Sequence, residues 1–450
     1  MVEKDTYEAW TSRVEKELGD KDISTLNWKG PTGLEFKAYY PISPVKKFPT
    51  LHSREKMEWN EGYEWDVFES IKVNTLKQAN QQATNALLSG ATGILFHWPA
   101  PEPEEIRQLL SGIDLEYIQL GMEIPPDMWR SCAIAIRGEI DKGQTPVEKC
   151  KGFFQSDLSG CSDGVDLAHS LNTLVEQAAE LEGILPGFRF GALNMAFLGS
   201  AGLSSDWELA VGLASYAYQL ENSTSKNEVH TQITLSVGSD YFSELAKFRI
   251  APYLFQLIAE KEGNDAKHYV LATMNQTYIS HLDTHTNILR LGTSAMSAVI
   301  GGCSGLVLMP FSADPDENPD FVSRVTRNVQ LVLLHESGIA GVQDAAAGSG
   351  FIEELSFRLA EQAWDNFIRI QKEGGILNFL RSGQIDQMIL KAKAAILAEV
   401  NSGKRFFLGV NHYSKPGEIA KISDIKEGIY TPLMASSAVN KNMEKEVSNG

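Results

Sequence analysis

Eight short, nearly continuous apolar runs, at residues 93–97, 117–121, 152–155, 189–194, 232–237, 268–273, 305–310 and 340–343, punctuate this chain and alternate with segments of helical periodicity. That alternation is the tightest constraint on the fold. A strand apolar along its whole length must be covered on both faces, which is the condition of a parallel sheet flanked by helices. Segments 166–182, 207–220, 241–261, 288–301 and 322–336 carry the apolar spacing of helices that could do the covering. Repeated strand–helix units predict an α/β fold, a (β/α)8 TIM barrel, in preference to an open doubly wound sheet, because no glycine-rich dinucleotide turn follows the first run. The open sheet stands as the alternative. Two long helices, 352–372 and 377–402, are expected after the last strand. The division that follows is an N-terminal helical and extended arm over 1–65, a barrel over 66–430 and a polar tail over 431–450.

The arm opens with an amphipathic helix at 5–18, with Tyr7, Trp10, Val14 and Leu18 on one face. It continues into an extended stretch broken by the turn signals Gly30-Pro31 and Thr32-Gly33. Its aromatic rings need a surface to lie on, either this chain's own barrel or a partner subunit. At 450 residues with 43% hydrophobic residues, the chain has ample material for a core. A formal charge of −18 and a pI near 5.0 disfavour nucleic acid and anionic membrane, both of which need a basic field. No long apolar span or signal-like start is evident, so a cytoplasmic protein is expected. Cys132, Cys150, Cys161 and Cys303 are widely spaced, which predicts reduced, buried thiols.

Three motifs carry chemistry on paper. Gly160-Cys161-Ser162-Asp163-Gly164 fits the G-x-S-x-G of a nucleophile elbow, but SDLS separates it from the preceding run, and a helix cap is the expected role. Asp283-Thr284-His285 matches the first half of a cobalamin-binding D-x-H-x-x-G, yet Ile288 stands where glycine is required; Asp283 is read as an N-cap and no cobalamin-binding flavodoxin-like domain is predicted. His281 and His285 could share a metal only with a third ligand, and none is evident. Polar residues at expected C-terminal strand ends are the site candidates, because that rim holds the active site of a barrel enzyme: His97, Gln155, Asn194, Asn275, Gln276, Gln343 and Asp344. Their alternative role is to cap helices and close turns. No catalytic, cofactor or metal residue is assigned.

The stretches WTSRVEKELGDKDISTLNWKGPTGLEFKAYYP, WELAVGLASYAYQLE, YFSELAKFRIAPYLF, NQTYISHLDTHTNILR and LAEQAWDNF, in this order and spacing, resemble the methylmalonyl-CoA mutase family. The resemblance implies adenosylcobalamin-dependent isomerisation of methylmalonyl-CoA and succinyl-CoA in propionate metabolism, on a barrel threaded by coenzyme A. It also implies heterodimers of a large catalytic subunit and a related small one. Catalytic chains carry Tyr-x-Arg-Gly after a Phe-Pro, where this chain has Thr50-Leu51-His52-Ser53 after Phe48-Pro49. They carry His-x-Gln-Thr-Ser-Gly where this chain, aligned on Gln276-Thr277, has Met274 for the histidine and Tyr278-Ile279 for Ser-Gly. Methionine cannot donate a proton to a thioester oxygen. The expectation is therefore a small, structural subunit without cofactor of its own, bound to a large subunit that holds the adenosylcobalamin, with an acyl-CoA as a possible ligand. The alternative is a competent acyl-CoA mutase barrel working with a separate cobalamin-binding chain.

Overall fold

A computed structural model describes residues 7–30, 32–40, 46–50, 63–181, 183–189, 193–222, 231–264, 268–314, 316–415 and 428–433. After a two-stranded antiparallel hairpin, β1 (Trp28–Lys29) and β2 (Glu35–Phe36), come nine parallel segments: β3 (Asp66–Lys72), β4 (Gly93–His97), β5 (Gln119–Glu123), β6 (Lys151–Gln155), β7 (Phe188–Arg189), β8 (Leu193–Asn194), β9 (Thr231–Val237), β10 (His268–Met274) and β11 (Gly305–Val307). They pair in the order β7-β6-β5-β4-β3-β11-β10-β9-β8. The first parallel segment thus lies beside the last, and the two ends of the order, β7 and β8, adjoin in the chain. The result is a curled parallel sheet wrapped in helices, the TIM-barrel-like arrangement that the alternating runs predicted.

Several expected strand positions are corrected. β3 was not among the eight runs, because Asp66, Glu69 and Lys72 interrupt its apolar residues. Each charge has an outlet. Asp66 accepts from Tyr269 and Thr92, Glu69 pairs with Arg327 at 2.9 Å, and Lys72 emerges exposed at the strand end. Conversely, residues 340–343 form no strand; they lie around a single 3-10 turn, Ile339–Gly341, that follows Gly338 at φ 75°. The run expected at 117–121 sits two residues later, with Tyr117 exposed outside the sheet. The run expected at 189–194 is seen as β7 and β8, and Phe190 is outside the described residues.

The helices are α1 (Tyr7–Leu18), α2 (Leu76–Leu88), α3 (Ile106–Leu109), α4 (Trp129–Lys142), α5 (Gly164–Leu181), α6 (Ala196–Ser200), α7 (Ser205–Asn222), α8 (Tyr241–Lys261), α9 (Thr286–Gly301), α10 (Pro319–His335), α11 (Gly350–Lys372), α12 (Ile376–Arg381) and α13 (Gln384–Asn401). The helix expected over 377–402 is split into α12 and α13 at Gly383, whose φ of 71° ends a right-handed helix without the strain a Cβ would add.

Two cores result from strand alternation. Val67, Ile94, Phe96, Leu120, Met122, Phe154, Ile233, Leu235, Val270, Ala272 and Leu306 belong to the large cluster shared with the helices. Phe68, Leu95, Phe153, Leu271 and Val307 form a separate cluster within the curl. Phe96 and Phe154 therefore face the helices, while the adjacent Leu95 and Phe153 fill the curl.

The described parts of the arm lie on this chain's own helices. Trp28 and Phe36 meet Phe351 of α11 edge-on, with ring centroids 5.8 and 5.5 Å apart, and Phe48 meets Tyr253 and Phe357 at 5.2 and 5.1 Å. The Phe48 backbone N–H donates to Glu353 at 2.7 Å. By contrast α1 buries no residue; its Trp10 stacks on Tyr39 of the same arm. Farther along the chain Tyr430 is fully buried against Phe197 and bonds Asp386, and the Leu433 N–H donates to the Ser200 carbonyl at 3.0 Å.

Candidate functional site

Residues that alternate with the helix-facing ones fill the curl in three tiers, set by register. At the N-terminal ends of the strands, Arg189 donates to Gln119 at 2.9 Å and Gln232 at 3.4 Å and lies 4.0 Å over the Tyr269 ring, whose hydroxyl donates to Asp66 at 2.6 Å. Burial raises the Asp66 carboxyl, even against the Tyr269 hydrogen bond and the Arg189 charge. It also pushes the Tyr269 phenol well above its ordinary range.

The middle tier is apolar. Phe68 and Phe153 meet edge-on at 5.9 Å, with Leu95, Leu271 and Val307 around them. Glycines on neighbouring strands make room. A Cβ on Gly93 would come within 2.6 Å of the Phe68 ring, one on Gly121 within 2.5 Å of Phe153, and one on Gly305 within 3.0 Å of Phe68. Large and small residues interlock, so the space the glycines leave is taken up by aromatic rings.

Above this plug, toward the C-terminal strand ends, lies a polar chain. Ser70 Oγ is 2.8 Å from His97 Nε2, and His97 Nδ1 is 2.5 Å from Glu123 Oε1. Gln155 donates to Glu123 Oε2 at 2.7 Å and accepts from Thr234 at 3.3 Å. Lys72, His97, Glu123 and Gln155 are cross-strand neighbours, which puts four functional side chains on one level. Burial alone would depress the His97 imidazolium, but the charge and hydrogen bond of Glu123 outweigh it and hold its pKa above the ordinary value. Burial likewise disfavours ionised Glu123; His97 and Gln155 more than offset that and keep it below the usual carboxylate range.

Of the seven rim candidates, His97 and Gln155 are brought together, joined through Glu123. Asn194 is the register neighbour of Thr234, and its side chain accepts from the Ala196 N–H at 3.3 Å. Asn275 is buried as a fastener: it accepts from Thr277 N–H and donates to Gly199 O, both at 2.9 Å. The Gln276 backbone donates to Ser200 at 3.4 Å. Gln343 is half-buried in the loop before α11, and Asp344 pairs with Arg249 at 3.1 Å, away from the strand ends. Ser70 and Glu123 were missed because their strands were absent or placed two residues early; a polar residue closing an apolar run was the available signal.

The other motifs take structural roles. Asp163 accepts from the Val165 and Asp166 N–H groups at 2.9 and 3.0 Å, which makes the G-x-S-x-G segment a helix entry. Asp283, at φ 45°, accepts from the Thr286 hydroxyl; the residue in the N-cap position of α9 is His285, so the N-cap reading of Asp283 is off by two. The His285 side chain is 66% exposed and 3.9 Å from Glu317, and the position three residues on is Ile288, not glycine. These residues do not fit a cobalamin ligand set. Met274 is buried at the end of β10, among the helix-facing core. Leu51, His52 and Ser53 are outside the described residues.

Comparison with known proteins places the chain among relatives of one family. A methylmalonyl-CoA mutase small subunit from Porphyromonas gingivalis is 26% identical over 441 residues, 92% of this chain and 70% of that protein. A Mycobacterium bovis protein named "Probable methylmalonyl-CoA mutase small subunit" is 28% identical over 90% of this chain and 69% of its own length. A large subunit from Streptomyces virginiae is 23% identical over 90% of this chain, which spans 62% of that relative. The profile of the family described as methylmalonyl-CoA mutase matches residues 101–430. A match over that much of a 450-residue chain has one meaning: the protein belongs to the methylmalonyl-CoA mutase family.

Proposed function

We propose that this chain is the small, non-catalytic subunit of a cytosolic, heterodimeric, adenosylcobalamin-dependent methylmalonyl-CoA mutase, and that it stabilises a large subunit that holds the cofactor and performs the isomerisation. The observation that carries the reading is the interlocked plug of Phe68, Leu95, Phe153, Leu271 and Val307, which occupies the axis along which the family resemblance would thread coenzyme A. Met274 in place of the histidine, and the degenerate run after it, support the same conclusion. The names of two relatives as small subunits favour a partner chain, and α1, which buries nothing on its own protein, is the part of the arm best placed to meet it.

Co-expression with the cognate large subunit tests the proposal. A one-to-one complex on a sizing column, with mutase turnover only when the large subunit is present, is the expected result. Two monomer peaks would overturn it. Titration of the isolated chain with methylmalonyl-CoA is expected to release no heat; micromolar binding would show an open axis and favour a competent barrel served by a separate cobalamin chain.

A further inference from the structure

The tier above the plug has a connectivity that the subunit reading does not use. A hydroxyl, an imidazole and a carboxylate are bonded in series, with the hydroxyl on Nε2 at 2.8 Å and the carboxylate on Nδ1 at 2.5 Å. The carboxylate's second oxygen is held by Gln155 at 2.7 Å, which fixes its orientation. This is the relation of nucleophile, base and orienting acid in acyl-transfer triads, which are recognised by geometry and not by chain order. The group is reachable: the His97 side chain keeps 30% of its exposure, and Ser70 is half-buried.

We propose that Ser70, His97 and Glu123 form an acyl-transfer site for small carboxylic esters or thioesters at the C-terminal mouth of the barrel. The plug forms the floor of this site, so the substrate enters and leaves by the mouth. Neutral His97, with Nδ1–H donated to Glu123, takes the Ser70 proton on Nε2 as Oγ forms a bond to the acyl carbon. Collapse of the tetrahedral intermediate breaks the bond to the alcohol or thiol, which leaves with the proton from His97. Water then cleaves the acyl-serine by the same route, releasing a carboxylic acid and restoring Ser70. Lys72, exposed on the strand beside His97, supplies positive charge at the mouth for the developing oxyanion. The charged groups acting on His97 are Glu123 and Asp157, which favour the imidazolium, and Lys72, which opposes it. Hydrolysis therefore rises with pH as His97 deprotonates.

The inference is independent of the subunit proposal, since it needs neither a partner nor an open axis. Treating the full chain with diisopropyl fluorophosphate and mapping the peptides is expected to place the label on Ser70 and not on Ser162 of the G-x-S-x-G segment. Hydrolysis of p-nitrophenyl acetate is expected to fall by about 100-fold or more in Ser70→Ala and in His97→Gln, the scale of a lost nucleophile or general base, and to persist in Ser162→Ala. Ser70→Cys, nearly isosteric, guards against a folding artefact and should shift reactivity to iodoacetamide at that position. An unlabelled Ser70 in the wild-type chain, or wild-type hydrolysis by Ser70→Ala, would overturn the assignment and leave the three residues as a hydrogen-bonded filling.

Discussion

Lys247 sits 1% exposed between two carboxylates, 2.8 Å from Glu208 and 2.7 Å from Glu244, while Glu208 also accepts from the Ser236 N–H at 2.6 Å. The charge cluster joins α7, α8 and the end of β9. Such clusters add little over an apolar core, but removing one member strands the others in low dielectric. Lys247→Met is therefore expected to cost about 3–5 kcal/mol in a urea melt. His268 poses the opposite case. Its ring is buried against Tyr216 at 5.4 Å, and burial pushes its pKa down to about 4. Between that value and the unfolded value the unfolded chain binds more protons, so stability rises with pH there and falls on acidification. Between pH 7 and pH 5 the wild type should lose about 2 kcal/mol through this residue, and His268→Phe should flatten that limb of the stability curve. An equal acid slope in both proteins would mean that the imidazole is hydrated.

Among elements, α11 is the one that ties the arm to the barrel. Glu353 is fully buried on it, accepting from Arg249 at 2.9 and 3.0 Å and from the backbone N–H groups of Phe48 and Gly348 at 2.7 and 2.8 Å. Glu353→Ala would leave the Arg249 guanidinium without its main counter-ion and Phe48 without its anchor. The expected outcome is a loss of about 3–5 kcal/mol, with faster tryptic cleavage at the exposed Lys46 and Lys47. How far elements could be read from sequence depended on burial type. α8 has the very bounds the sequence predicted although it is buried on nearly every side against α7, α9 and α11; Asp240, whose side chain accepts from the Ser243 N–H, marks its start. β3 escaped notice since its inward positions carry Asp66 and Ser70 and its outward ones Glu69, polar groups satisfied by residues on other elements: Tyr269, Thr92, His97 and Arg327. The loop at 340–343 looked like a strand because short apolar runs do not declare their partners. The same blindness hid half of the mouth site: His97 and Gln155 closed recognisable runs, while Ser70 and Glu123 needed the true strand limits.

At the scale of the whole molecule, the proposed large subunit would be the main term outside the chain. If the large subunit binds only the folded state, a free concentration 100 times its Kd should add about 2.7 kcal/mol to the stability of this chain, seen as a rise in melting temperature that depends on partner concentration. An unchanged melting temperature in a verified mixture would argue against the structural role. Within the chain, Phe153→Ala should cost about 3–5 kcal/mol, because the ring is fully buried and its neighbours are held by the sheet. It is also expected to confer no affinity for an acyl-CoA, since Phe68, Leu95 and Leu271 still close the axis.

That last point bears on how such a barrel could change over generations. Phe68 occupies the room left by Gly93 and Gly305, and Phe153 that left by Gly121. Trimming one ring leaves a sealed void and an unstable protein, while enlarging one glycine collides with a ring. Neither single step leads toward a passable tube. The interlock works as a ratchet: a lineage that has closed its barrel in this way could reopen it only by several coordinated replacements, each costly alone.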